Sequence, residues 1–298
     1  LTPTPETATR IPQKRAGPLM KLPSNIRKYR AYSQGLVSDT WNLKFGVLSD
    51  LELKIPPLGE QRRIVEVLDT VDITIKTTER IVSKLELQEY GVRRDLFDSR
   101  HDSESSWTHI CVGDLGKIIT GSTPPTSDER YWNGTVPFVT PGDIDSDGNA
   151  STTKRSVTEL GVALGKTVPP GSVAIVCIGS SIGKVGRIHS RSVTNQQINC
   201  VVPSSGYDSE FVYYVLDHLH PTIEAEAGRQ AIPIVNAKLL SSLRVWTVPL
   251  AEQKEFVARI IPIRNRIEHE RLNLKKYMKL QSALSHDLLS GRVRTVAS

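Results

Sequence analysis

The stretch Pro57-Leu58-Gly59-Glu60-Gln61-Arg62 returns as Pro249-Leu250-Ala251-Glu252-Gln253-Lys254, an offset of 192 residues. At the same offset Asp95-Leu96-Phe97 is matched by Asp287-Leu288-Leu289, so nothing is inserted between the two ends. An ungapped repeat of about 40 residues points to a rigid element of fixed length.

Apolar spacing identifies that element. In the first copy Ile64, Leu68, Val71, Ile75, Thr78, Val82, Leu85, Glu89, Val92 and Leu96 advance by four and three alternately. In the second, Phe256, Ile260, Ile263, Ile267, Glu270, Leu274, Tyr277, Gln281, Leu284 and Leu288 do the same. This is a heptad seam, and it predicts long helices over 58–100 and 249–292. Leu68, Ile75, Val82, Leu85, Ile260, Ile267, Leu274 and Leu284 are the residues expected to pair them. One such stretch alone would equally describe a generic helical hairpin; its repetition at a constant offset weakens that reading. Both copies carry polar residues mid-seam (Thr78, Glu270) and near the end (Glu89, Gln281), as polar layers that fix a register would. A helix of about 38 residues is roughly 57 Å long, which suits a strut. Proline before Glu60 and Glu252 reads as a helix entry, with each carboxylate near the positive end of the helix dipole. Pro262 has no counterpart at Thr70 and predicts an early kink in the second helix.

Between the helices, residues 101–248 read as a compact α+β unit. Thr135 to Val139, Ser172 to Cys177 and Ile198 to Val202 are short β-rich runs separated by Gly, Pro, Ser and Asp turns. A helix is expected from Ser209 to His220 and a return strand from Leu243 to Val248. Residues 1–24 are rich in Thr, Pro and Lys without periodicity and read as disordered, and 293–298 form a tail. The first residue is Leu rather than Met, which fits a fragment or an unusual start.

With 38% hydrophobic and 23% charged residues the composition is that of an ordinary soluble chain. No apolar run reaches the roughly 18 residues of a membrane span and no signal peptide opens the sequence, so a cytoplasmic location is expected. Cys111, Cys177 and Cys200 are an odd set without metal-ligand spacing, and read as reduced, mostly buried thiols. In that compartment the glycosylation-like triplets at Asn133 and Asn149 are loop residues. Net charge is +6, yet residues 107–245 hold 11 Lys and Arg against 12 Asp and Glu, so charge alone makes no case for a polyanionic partner.

The order of parts is more specific. Gly121-Ser122-Thr123-Pro124, Tyr131-Trp132-Asn133-Gly134 with Val136-Pro137-Phe138-Val139-Thr140, Gly183-Lys184-Val185-Gly186 and Thr194-Asn195-Gln196-Gln197 lie between two helices opened by Pro-x-x-Glu-Gln. Over residues 30–294 this arrangement resembles the specificity subunits of type I restriction-modification enzymes. The resemblance implies an α+β fold with a globular target recognition domain flanked by two long helices that pair as an antiparallel coiled coil. It further implies a non-catalytic role: the domain reads half of a bipartite site in double-stranded DNA, while the helices set spacing and dock methyltransferase subunits. A restriction/translocase subunit would join through the complex. S-adenosylmethionine and ATP would be used by those partners, and this chain would hold no cofactor. Residues 25–57 then stand as the remnant of a first recognition domain, since the family pattern calls for about 150 residues there. One reading head allows either a defective chain or a homodimer.

The remaining motifs are weaker. Gly179-Ser180-Ser181-Ile182-Gly183-Lys184 has three residues between its glycines, not four, and Val185 where a phosphate loop needs Ser or Thr. Asp143-Ile144-Asp145-Ser146-Asp147-Gly148 opens like a calcium loop, but its twelfth position is Lys154 instead of Glu. Tyr131 and Trp132 read as packing aromatics more than base contacts. The candidate DNA contacts are the cations Arg130, Lys154, Arg155, Lys184, Arg187, Arg191 and Arg229, because lysine and arginine engage phosphate and guanine. No amino-methyltransferase, Ser-hydrolase or zinc-protease motif is present, which argues against the alternative of a self-contained nuclease or methyltransferase; a coiled-coil scaffold without sequence-specific DNA binding is the other alternative.

Overall fold

A computed structural model describes residues 23–33, 56–98, 106–228 and 234–295, with single positions at 20, 44 and 46. The expectations for nearly all of 1–24, for most of 25–57 and for Arg229 lie outside the described residues. In chain order the elements are α1 (Pro23–Tyr32), α2 (Leu58–Asp98), β1 (Thr108–Cys111), α3 (Val112–Leu115), β2 (Gly116–Thr120), β3 (Trp132–Val139), β4 (Arg155–Val157), α4 (Glu159–Leu164), β5 (Thr167–Val168), β6 (Val173–Val176), β7 (Val185–Arg187), β8 (Ser192–Thr194), β9 (Ile198–Pro203), α5 (Ser209–His218), α6 (His220–Glu226), α7 (Ala237–Ser242), β10 (Arg244–Thr247) and α8 (Leu250–Ser290). The chain divides into two compact units, residues 1–88 with 264–298, and residues 89–263.

In the first unit the long helices pack against each other. Ile64 and Leu68 of α2 share a buried cluster with Leu288 of α8, and Leu284 and Leu289 cover it. Further along, Gln281 donates to Asp72, and Arg271 to Glu86 at 2.6 Å. As numbers rise along α2 they fall along α8, so the pair is antiparallel. Leu68, Ile75, Val82 and Ile267 are buried, whereas Leu85, Leu274 and Leu284 are half-buried. Of the four polar seam residues only Gln281 bridges the helices. Thr78 donates back to the Thr74 carbonyl, a bond within its own helix, and Glu270 accepts from Arg266 one turn away.

The repeated Pro-x-x-Glu-Gln acquires a physical meaning here. The Gln61 carboxamide donates to the Pro56 carbonyl at 2.9 Å, and Gln253 donates to Val248 at 2.7 Å. In both copies a buried glutamine thus ties the first helical turn to the chain entering it. Glu60, also buried, accepts a two-pronged bond from Arg294 at 2.7 and 2.6 Å, and Glu252 accepts from Ser106. Pro262 lies inside α8, which continues as helix to Ser290, and proline has no N–H to donate to the Ala258 carbonyl.

The second unit is α+β. One four-stranded sheet has order β2-β9-β6-β7 and is antiparallel throughout. The other has order β4-β3-β8-β5, with β3 and β8 parallel. A two-stranded ribbon pairs β1 with β10, from Thr108↔Thr247 to Cys111↔Arg244. Helix α5 is capped by Asp208, which accepts from the backbones of Glu210 and Phe211. Every residue from Phe211 to Leu216 is buried, as befits a helix packed on both sides. Phe211 and Tyr214 meet Phe256 edge to face, with centroids 6.1 and 5.4 Å apart. Ile260 belongs to this core, which also takes in Phe97 of α2 with Val92 and Leu96 packed against it, so the globular core joins the seam residues at this end of the helices. Glu89, likewise assigned to the seam, accepts instead from the Tyr214 hydroxyl.

Cys177 and Cys200 are buried and Cys111 is half-buried, all three as free thiols. Burial pushes the Cys200 thiol up to about 12 and raises that of Cys177 as well, so both stay protonated at neutral pH. Titration of the native protein with a chromogenic disulfide should therefore register one fast thiol, Cys111, and all three only after denaturation. Three fast thiols in the native state would contradict this packing.

Candidate nucleic-acid interface

Three of the four family-like stretches, apart in sequence, are brought together in the second unit. Past the end of β2, the Gly121 amide donates to Ile198 at 3.0 Å and the Ser122 amide to Thr194 at 2.9 Å. Thr123 Oγ1 donates to Gln196 Oε1 at 2.6 Å, and the Asn195 amide donates to Val139 at the end of β3. Gly121 is required by this closeness, because a Cβ there would run into the carbonyl oxygens of Asn195 and Thr194. Thr123 and Gln196 are both exposed. Sequence reasoning singled out cations and missed this polar pair, although both residues stood inside quoted stretches. An exposed carboxamide offers a donor and an acceptor side by side, the pattern that complements adenine.

The glycine turn after β6 is a tight connection to β7. Gly179 and Gly183 take positive φ of 97° and 85°, and the Gly183 and Lys184 amides close the turn on Val176 and Ser181. Lys184 does not project freely: its ammonium donates to the carbonyls of Ile144 and Pro141. The acidic loop is held in the same way. Asp143 accepts from Thr140 and from the Lys154 amide, and Asp145 accepts from the amides of Asp147 and Asn149. These carboxylates shape a turn. Among the described residues no cluster of three or more His, Cys, Asp and Glu is placed to hold a metal ion.

The other candidate cations differ sharply in what they already touch. Arg187 is only 5% exposed. Its Nε donates to Glu210 at 2.8 Å, its Nη1 to the Asp147 carbonyl at 2.9 Å, and its guanidinium lies 3.3 Å from the Tyr213 ring centre. This arginine ties the β7 end to α5 and to the acidic turn, which corrects its assignment as a DNA contact. Arg130 is exposed but clasped by Asp128 at 3.0 and 2.7 Å, and that guanidinium holds the Asp128 carboxyl below its usual range. Arg191 forms a two-pronged pair with Glu159 at 2.9 and 3.1 Å. Lys154 is exposed with its ammonium unbonded among the described residues.

Arg155, exposed on edge strand β4, stands opposite Phe138 in the β3–β4 pairing. Paired residues share a sheet face, so its side chain lies over the aromatic layer of β3. The guanidinium is 3.5 Å from the centre of the Trp132 ring. Trp132 is itself fixed, donating from Nε1 to the Pro125 carbonyl at 3.0 Å and meeting Phe138 edge to face at 5.0 Å.

The family model of the type I restriction modification DNA specificity domain matches residues 25–87 and 104–276. The chain belongs to this family. Among its relatives, the type I restriction enzyme MjaX specificity subunit of Methanocaldococcus jannaschii is 26% identical over 297 residues, covering 91% of this chain and 65% of the relative. The HindI specificity subunit of Haemophilus influenzae is 25% identical over 192 residues, covering 63% of this chain and 42% of that one. The chain thus spans about two thirds or less of the length of these curated relatives. In fold it is similar to the crystal structure of the type I S subunit from M. genitalium, with a TM-score of 0.64 at 16% identity over 96% of this chain and 73% of that one. For this member of the specificity family, mixed α/β architecture and paired long helices are shared features of fold. No helix among the described residues is long and apolar enough to cross a membrane.

Proposed function

We propose that this chain is a non-catalytic DNA sequence-specificity subunit of a type I restriction-modification complex. Its globular unit reads one half-site of double-stranded DNA, and its paired helices dock methyltransferase subunits, through which a restriction/translocase subunit joins in the cytoplasm. The observation that carries this reading is the extent of the family match, which takes in both the first long helix and the globular unit. The relatives' names as specificity subunits support it. In this reading Arg155, Lys154 and the exposed pairs of Arg130 and Arg191 face the duplex, where phosphate contacts position and base contacts specify.

The test is selection from a random duplex library by the purified chain bound to its cognate methyltransferase subunit, sequenced at two salt concentrations. Enrichment of a single half-site of a few base pairs is the expected result. A palindrome built of two such halves would indicate a homodimer. A stable complex without any sequence enrichment would overturn the specificity role and leave a scaffold, and cleavage of DNA by the pure chain would favour a nuclease.

A further inference from the structure

We infer that Arg155 is a specificity-determining residue that reads a guanine in the major groove. The inference rests on the DNA-reading function proposed above and adds the identity of one base contact to it.

A guanidinium that recognises guanine offers two parallel N–H groups to O6 and N7, so it needs those groups free and its plane held still. Arg187 is buried on Glu210 and a backbone carbonyl. Arg130 and Arg191 are exposed, but each presents its fork to a carboxylate of its own domain, which a base edge would have to displace. Lys184 is turned into carbonyls, and Lys154 carries a point charge on a flexible stem without a fork. Among the described residues of this set only Arg155 combines exposure, a guanidinium free of hydrogen bonds and ion pairs, and a fixed plane.

The plane is fixed from below. Trp132 is buried to 6% exposure and locked by its bond to Pro125 and its contact with Phe138. The backbone makes the stack possible. Residues 133–135 form a bulge, so that both Trp132 and Val136 face Val157 on β4. Asn133 takes a positive φ of 61° to enter it, and Gly134 lies where a Cβ would strike the Val157 carbonyl. The bulge brings Trp132 back over the same layer as Phe138, beneath Arg155. Stacking consumes no N–H group, so it orders the arginine while leaving its donors for a ligand. Lower rotamer freedom before binding also means less entropy lost on binding.

A phosphate would attract the same cation but would not need the fork or its orientation, and the two contacts separate experimentally. The library selection is repeated with Arg155→Gln and Arg155→Lys in the same methyltransferase complex, alongside salt titrations on the wild-type half-site. The expected result is a wild-type motif with one guanine whose preference over other bases falls about 10- to 100-fold in both variants, other positions being unchanged. Lysine keeps the charge and loses the fork, so its failure to restore the guanine is the signature of bidentate readout. A uniform loss across all sequences that lysine rescues, with a shallower salt slope for glutamine, would assign Arg155 to phosphate and overturn the inference. An unchanged motif in both variants would overturn it as well, while leaving the specificity function standing. No motif in the wild type would overturn both.

Discussion

Arg187→Ala is expected to destabilise the globular unit by about 3 to 5 kcal/mol, the range for removing one partner from a buried ion pair. The variant takes the guanidinium away from Glu210, whose side-chain exposure is 21%, and it opens the carbonyls of Asp147 and Gly148. It also removes the cation beneath Tyr213 and leaves a void beside α5. Urea unfolding of the purified protein followed by tryptophan fluorescence would measure the loss. Arg155→Ala should by comparison change stability by no more than about 1 kcal/mol, the worth of an exposed cation stacked on a ring. Equal stability of the two alanine variants would refute the inward role of Arg187.

The helix pair should be most sensitive at Leu68. This side chain is fully buried between Ile64 and Leu288, and truncating a buried leucine to alanine costs about 2 to 5 kcal/mol through lost transfer energy and the cavity left behind. Leu68→Ala is expected to lower the denaturation midpoint read by far-ultraviolet dichroism and to raise protease sensitivity within 58–88 and 264–290. The polar bridge between Gln281 and Asp72 is a different matter. Replacing Gln281 by leucine removes one polar group and leaves Asp72 near the surface, with an expected change under about 1 kcal/mol. Should Leu68→Ala prove as mild as that substitution, the seam would not be what holds the helices together.

The helices were the most legible part of the molecule because their information is local and repeated. A step of four and three residues over 40 positions survives a few polar interruptions, and Leu68, Ile75, Val82 and Ile267 are all buried. Periodicity could not say that one end of the seam also meets the globular core. Ile260 fits the heptad as well as Ile267 does, yet it packs into the core built by Phe211, Tyr214 and Phe256, and Glu89 bonds to Tyr214. Strands were legible for a similar reason. The runs read at 172–177 and 198–202 contain β6 and most of β9, and the expected helix from Ser209 to His220 is present as α5 followed by α6. The candidate site was legible as residue types and hidden as roles. Arg155 and Arg187 are indistinguishable in sequence. What separates them is Glu210, 23 residues beyond Arg187, and Trp132, 23 residues before Arg155, both brought near only by strand pairing and helix packing.

The ribbon of β1 and β10 has a consequence for how this domain can change. The polypeptide goes in along Thr108–Cys111 and comes out along Arg244–Thr247, on neighbouring strands whose α-carbons lie about 5 Å apart. Everything between them is a closed excursion from two adjacent points. A replacement cassette of different length and sequence needs to reproduce that pair of strands and the face that Phe211 and Tyr214 present to Phe256 and Glu89 to be grafted into the same chain.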